Sequence, residues 1–237
     1  MQKAVFCWSG GKDSAFALYK TISSGAFEIL ALLTTINSAY SRVSMHGVRE
    51  ELMDLQAKHI GIPLYKVYIP EVCTNEEYEK QMEEAMIYWK EKGVSHIIFG
   101  DIFLEDLKRY REEKLEKVGM KAVFPLWKED TAELLSSFLK LGFKTMICSG
   151  SCKNINEELV GETLSEEIVG LMSPGTDPCG ENGEFHTFVY EGPVFREKLD
   201  VACTEKVVKY YNVKKETEGR IVEEEVGYWF ADIKLKE

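Results

Sequence analysis

Two short stretches of this chain hold residue types and spacings that point to chemistry. The first is Cys7-Trp8-Ser9-Gly10-Gly11-Lys12-Asp13-Ser14, directly behind the apolar run Ala4-Val5-Phe6. This order reads as a strand, a tight turn and a helix start. Two glycines let the backbone turn and aim successive N–H groups at one spot. A helix N-terminus adds unpaired N–H groups and partial positive charge. Lys12 brings a full charge, and Ser9 and Ser14 bring hydroxyls, so the turn suits a polyphosphate tail. The second stretch is Asp177-Pro178-Cys179-Gly180-Glu181-Asn182-Gly183-Glu184-Phe185-His186-Thr187. By itself Glu181-Asn182-Gly183-Glu184 reads equally well as a hairpin turn, because Asn-Gly tolerates positive φ at both central positions. Beside a nucleotide loop, its carboxylates Asp177, Glu181 and Glu184 gain weight as catalytic or substrate-gripping groups.

Further candidates lie between these two. Gly100-Asp101 follows an apolar run, where a carboxylate can meet ribose or metal. Arg109 and Arg111 are two apart, so on a regular helix they point about 200° apart. Only one can face a nucleotide; Arg109 is taken as that one, its neighbour pairing with Glu112 or Glu113 or staying solvated. Asp13 reads either as a helix cap or as a Mg²⁺ ligand, since Mg²⁺ prefers carboxylate and phosphate oxygens. His46 and Arg49 open a helix within reach of phosphate, although a lone histidine there reads first as structural.

The elements that must hold these residues follow from periodicity. Strand-like runs at residues 4–8, 27–35, 64–69, 94–99, 122–124 and 143–148 alternate with helical patterns at 13–24, 48–60, 75–92, 105–118 and 130–141. The helix at 75–92 carries Tyr78, Met82, Ala85, Met86 and Trp89 on one stripe. This alternation predicts an α/β fold with a Rossmann-like parallel sheet wrapped by helices, whose ligands sit at the carboxyl ends of the strands. Residues 9–14, 37–49 and 100–111 all fall at such ends. After about Gly150 the rhythm changes to a short helix at 164–171, a Gly/Pro/Asp loop at 173–184 and valine- and aromatic-containing strands at 185–190, 200–211 and 220–233. A second, smaller α+β domain is expected, residues 1–125 binding nucleotide and 126–237 forming the substrate side, with the boundary within 120–150. The charged runs at 214–218 and 223–225 read as solvated turns or strand edges.

Bulk properties exclude several classes. The 237 residues, 45% of them hydrophobic, fit one large or two small globular domains. No apolar run is long enough to span a bilayer, and the N-terminus lacks the order of a signal peptide, so a cytoplasmic protein without a membrane partner is expected. A formal net charge of −11 disfavours a bulk nucleic-acid partner. None of the six cysteines forms a C-x-x-C pair, which gives a zinc site little support. Cys148 and Cys152 are spaced for one helix face, but Gly150 lies between them and a strand is expected there.

The Ser-Gly-Gly-Lys-Asp-Ser turn resembles the PP-loop of the ATP pyrophosphatases, which split ATP between its α and β phosphates. In the same order come Gly100-Asp101-Ile102 with Arg109-x-Arg111, Pro125-Leu126-Trp127, Cys179–Thr187 and Gly192-Pro193-Val194-Phe195. Together these look like the diphthine–ammonia ligase family, from residue 3 to about residue 196. The resemblance implies amidation of the diphthine carboxylate on translation elongation factor 2, with ATP, Mg²⁺ and ammonium, through an acyl-adenylate to AMP and pyrophosphate. It implies Ser9, Gly10, Gly11, Lys12, Asp13, Ser14, Gly100, Asp101 and Arg109 as nucleotide contacts, Lys12, Asp13, Glu181 and Glu184 as catalytic groups, and Asp13 as the metal ligand. Diphthine carries a quaternary ammonium, for which Asp177, Glu181, Glu184 and Phe185 offer charge and a cation–π face. No cysteine nucleophile of a glutaminase follows Met1, so free ammonium is the expected nitrogen source. A homodimer stays open. The alternatives are a PP-loop tRNA-modifying enzyme of the thiolase kind, using Cys148 and Cys152, and a non-catalytic adenine-nucleotide-binding regulatory module.

Overall fold

The structure is a computed structural model that describes residues 1–44, 46–217 and 220–236; the end of the charged run at 214–218 therefore lies outside the described residues. The first half alternates as expected. It runs β1 (Gln2–Cys7), α1 (Lys12–Ser24), β2 (Phe27–Asn37), β3 (Arg42–Val43), α2 (Glu50–Ile60), β4 (Leu64–Ile69), α3 (Asn75–Glu91), β5 (His96–Ile98), α4 (Glu105–Lys117) and β6 (Lys121–Val123). Parallel pairing joins β4 to β2, β2 to β1, β1 to β5 and β5 to β6, while β3 pairs antiparallel with the end of β2. The chain moves outward from β1 through β2 and β4, then returns to β5 on the other side of β1. Ligands of open α/β sheets bind outside the carboxyl ends of the strands where the order reverses in this way. The Ser9 turn leaves β1 and the Gly100 turn leaves β5, its direct neighbour.

The second half forms α5 (Thr131–Lys140), β7 (Lys144–Ser151), a 3₁₀ turn at Glu157–Leu159, the short α6 (Glu166–Gly170), β8 (Phe185–Glu191), β9 (Val201–Thr217) and β10 (Arg220–Leu235). Its sheet is antiparallel in the order β8-β7-β10-β9. The strand β7 runs past Cys148 to Ser151, so Cys148 is a buried strand residue and Cys152 lies exposed beyond the strand. The shared helix face considered for them does not form.

Two apolar clusters hold these layers. One lies between β1, β5 and helices α3 and α4, with Val5, Leu33, Trp89 and Ile97. The other runs without interruption from α1 and α2 into the second sheet, through Phe16, Leu52, Phe138, Phe143, Ile147 and Phe188. Phe138 and Phe143 stack at 4.5 Å, and Phe16 meets both edge-on. Burying each such ring contributes about 1.5–3 kcal/mol, so the second sheet is welded to the first rather than hinged on it. A polar latch adds to the contact: Asp232 on β10 receives Arg42 at 2.7 Å and Arg49 through two hydrogen bonds of 2.8 Å. Arg49, expected near phosphate, is spent here.

Helix ends separate scaffold from site. The helix α3 starts with a full capping box of Thr74 and Glu77, and Asp130 caps α5 through the N–H groups of Ala132 and Glu133. At α1 the cap position is Gly11, which has no side chain to give.

Candidate active site

The turn after β1 is shaped by close packing. Gly10 has φ +79, and a Cβ there would meet Gln56 Oε1 at 2.8 Å. Gln56 is fully buried and braces the turn: its Nε2 donates to the carbonyls of Gly10 (3.0 Å) and Val189 (2.6 Å), and its Oε1 accepts from Trp8 Nε1 at 2.8 Å. Val189 N–H in turn donates to the Gly10 carbonyl at 2.9 Å. Strand β8 of the second sheet therefore clamps the turn of the first.

Two N–H groups of the turn meet hydroxyls. Gly11 N–H donates to Ser9 Oγ (3.3 Å) and Lys12 N–H to Thr187 Oγ1 (3.0 Å). The N–H groups of Asp13 and Ser14 make no hydrogen bond among the described residues; as orphan donors of a helix N-terminus they are placed to meet an anion. Gly100 closes the other side, where a Cβ would lie 3.0 Å from Ser14 N. Only glycine lets the β5 turn approach this helix end.

Lys12 is buried, and its Nζ donates to Asp13 Oδ2 at 2.8 Å and to the Cys179 carbonyl. Burial lowers its pKa, but the Asp13 carboxylate and other negative groups outweigh this and leave it raised. Lys12 also sits 5.3 Å from the centre of the Phe185 ring. The aromatic face expected to receive a substrate cation is thus given to Lys12.

The acidic loop divides its carboxylates between scaffold and cleft. Glu184 is buried, accepting from Asp177 N–H, Asn182 N–H and Asn182 Nδ2 at 2.9–3.1 Å. Asp177 accepts from Cys179 and Glu181 N–H and from the Thr131 hydroxyl. These bonds fold the loop on itself. Asn182-Gly183 lies in a turn closed by Gly183 N–H on the Gly180 carbonyl, ahead of β8, not between two paired strands. Glu181 instead reaches across to the β5 turn, its Oε1 accepting from Ile102 N–H at 2.7 Å and from Phe103 N–H at 3.4 Å. Burial pushes its carboxyl up to about 7, and Asp13 and Asp101 add to the rise.

Asp101 pairs with Arg111, Nε to Oδ2 at 2.9 Å, and burial raises its pKa against the pull of that guanidinium. Arg111 lies over the Phe99 ring at 4.2 Å. Arg109 points elsewhere: it is exposed and pairs with Asp106 on its own helix. The expected assignment within this arginine pair is therefore reversed. The helical angle separated the two, but only the docking of α4 decides which one faces inward.

These groups share one cleft of about 830 Å³. Its walls include Ser9, Gly11, Lys12, Asp13, Ser14, Asp101, Arg111, Glu181, His46 and His186, with Leu33, Ile69, Tyr78 and Met82 as an apolar side. Gln56, Thr187 and the meeting of His46 with His186 escaped sequence reasoning. One signal existed for Gln56: a lone amide in the apolar stripe Leu52, Met53, Ala57 and Ile60 of α2.

A switch-point cleft, a Ser-Gly-Gly-Lys-Asp-Ser turn and an uncapped helix end define an α/β protein with a PP-loop ATP pyrophosphatase domain. Comparison with known proteins narrows this. Residues 1–122 match the diphthamide synthase N-terminal domain and residues 130–219 the diphthamide synthase C-terminal domain; the chain belongs to the diphthamide synthase family. A Danio rerio protein named diphthine--ammonia ligase is 28% identical over 221 residues, covering 84% of this chain and 86% of its own. The Homo sapiens protein of that name is 26% identical over 226 residues, covering 84% and 83%. The Schizosaccharomyces pombe one is 24% identical over 222 residues, 85% of this chain but 36% of a longer protein.

Proposed function

We propose that this chain is a diphthine–ammonia ligase, using ATP and ammonium to amidate the diphthine carboxylate on translation elongation factor 2. The observation that carries this reading is the opening of the Lys12 turn, Asp101 and Glu181 onto one cleft. The diphthine carboxylate attacks the α-phosphorus of ATP, pyrophosphate leaves, and ammonia then displaces AMP from the acyl-adenylate. Residues 1–125 hold the nucleotide, and 126–237 supply the acidic loop on the substrate side.

Charge that grows on the leaving pyrophosphate needs fixed donors. Asp13 and Ser14 N–H, the Ser9 and Ser14 hydroxyls and the Lys12 ammonium are those donors. Lys12 exchanges the Cys179 carbonyl for phosphate when ATP enters. Arg111, held by Asp101 and Phe99, is the second cation, and it replaces Arg109 in this role. Glu181 orders the β5 turn from the substrate side, and Glu184 keeps the acidic loop in shape.

Mg²⁺ is bound by one or two carboxylates together with phosphate oxygens and water. Asp13 and Asp101 both line the cleft and feel each other's charge, a donor set that fits an ion arriving with the triphosphate. No group of three His, Cys, Asp or Glu able to hold a metal alone occurs among the described residues. Such an ion would neutralise charge on the departing pyrophosphate.

The deciding experiment incubates the protein with ATP, ammonium chloride and elongation factor 2 bearing diphthine. AMP, pyrophosphate and conversion of the carboxylate to its amide, read by mass, are expected together. ADP as the product, or an unchanged factor, sinks the proposal.

A further inference from the structure

His46 and His186 come from distant parts of the chain, one before α2 and the other on β8, and meet inside the cleft. Their ring centroids are 4.5 Å apart with a 33° tilt, and both rings line its wall. His46 Nε2 lies 3.4 Å from where a Cβ on Gly11 would stand, at the phosphate turn itself. His186 makes no side-chain hydrogen bond among the described residues, leaving its ring open to a ligand. Two imidazoles gathered at a phosphate turn need a reason: the His46 ring is tied to its own loop only through the Ser44 backbone, and neither ring bridges the two sheets in the way Gln56 does.

The chemistry of the proposed reaction supplies one. Near neutrality the nitrogen source is almost wholly ammonium, which has no lone pair and must lose a proton before it can attack. The C–N bond then forms, the carbon–oxygen bond to the adenylate phosphate breaks, its electron pair leaves with AMP, and the nitrogen sheds a second proton. Two protons must therefore pass to bases in the cleft, one before and one after attack. Two carboxylates there are held in ion pairs, Asp13 with Lys12 and Asp101 with Arg111, and Glu181 is tied through its Oε1 to the Ile102 and Phe103 N–H groups. The two imidazoles are neutral bases on the same wall, next to the phosphate turn.

We infer that His46 and His186 form the ammonia subsite of this cleft, accepting N–H protons from ammonium and then from the attacking nitrogen. The inference rests on the amidation reading given above. The transfers are separate in time, so the pair need not carry two charges at once. Burial also keeps both rings neutral, pushing His186 down to about 4 and His46 well below its ordinary value. Burial is the main cause for both rings; His186 and then Lys12 add to it at His46, and Lys12 adds to it at His186.

The test uses His46→Gln, His186→Gln and the double variant with ATP and diphthine-bearing factor. Exchange of labelled pyrophosphate into ATP reports adenylate formation, and the amide is read by mass across an ammonium series. Exchange should stay near the wild-type level, which also shows that the variants fold. Amide formation at low ammonium should fall about 100-fold, the scale of a lost general base, with the loss in the KM for ammonium and recovery as pH rises. Hydroxylamine, neutral at pH 7, should suffer far less. Parallel loss of exchange and amide, or an unchanged ammonium dependence, overturns the inference. Wild-type protein that fails both reactions overturns the ligase reading instead.

Discussion

The turn at residues 9–14 and the loop at 177–187 are both dense in polar groups, yet they spend them differently. The turn keeps its chemistry available: a glycine cap, two orphan N–H groups and a lysine whose partners lie at the cleft wall. The loop consumes most of its own. Glu184 and Asp177 are saturated by neighbouring N–H groups and a threonine hydroxyl, and only Glu181 reaches out. A cluster of carboxylates is thus a poor guide to reactivity until the destination of each oxygen is known. A carboxylate that accepts three hydrogen bonds in a buried loop is already committed to structure.

This contrast can be broken, and the largest effect should come from Lys12. Lys12→Met should reduce AMP release about 10²–10³-fold, as removal of a donor to a developing anion does, while the melting temperature changes little. A large loss of stability with normal turnover would move Lys12 into the scaffold class. Glu184→Gln should behave oppositely. It leaves buried donors facing an amide, at a cost of about 1–3 kcal/mol measured by denaturant melts, and turnover should fall only as far as the loop loosens.

Glu181 sharpens the comparison through pH. Its folded pKa is about 7, raised from 4.5 by burial. A raised value means that this carboxyl's contribution to stability is full below 4.5 and is lost as pH rises through 7. Glu181→Gln should therefore match wild type in melting temperature at pH 4 and exceed it at pH 8. Equal pH slopes in both proteins would contradict the burial of this group.

Asp232 gives the reverse sign. Arg49 and Arg42 hold its carboxyl below the ordinary range, so the latch stabilises above about pH 4 and fails as acid protonates it. Asp232→Asn should cost about 1–3 kcal/mol at pH 7, a cost that starts to shrink only below about pH 4 and is still mostly present at pH 3, because the folded carboxyl stays ionised there. The smallest effect is expected at Arg109: Arg109→Ala should leave stability within about 0.5 kcal/mol and the KM for ATP unchanged, whereas Arg111→Ala should raise that KM.

Much of the fold was legible because local rules governed it. Periodicity located the alternating strands and helices of the first half, and two glycines behind an apolar run exposed the phosphate turn. The second half was harder: β7 and β9 both run further than their apolar patterns suggested, because antiparallel partners continue a strand through glycine and polar residues. The arginine pair shows the same limit. Spacing on a helix separates Arg109 from Arg111, but it carries no information about which side of α4 meets the sheet.

From its residues alone this chain declares a strand, a glycine turn and a helix end built for an anion, because those are properties of consecutive backbone. Tertiary structure alone decided what closes over that turn. Gln56, Thr187, Glu181 and the two histidines arrive from α2, β8 and the loops around them, more than 30 positions away from the turn in every case. Their convergence depends on a core that runs unbroken between the two sheets, and long-range packing of that kind leaves no periodic trace in the sequence.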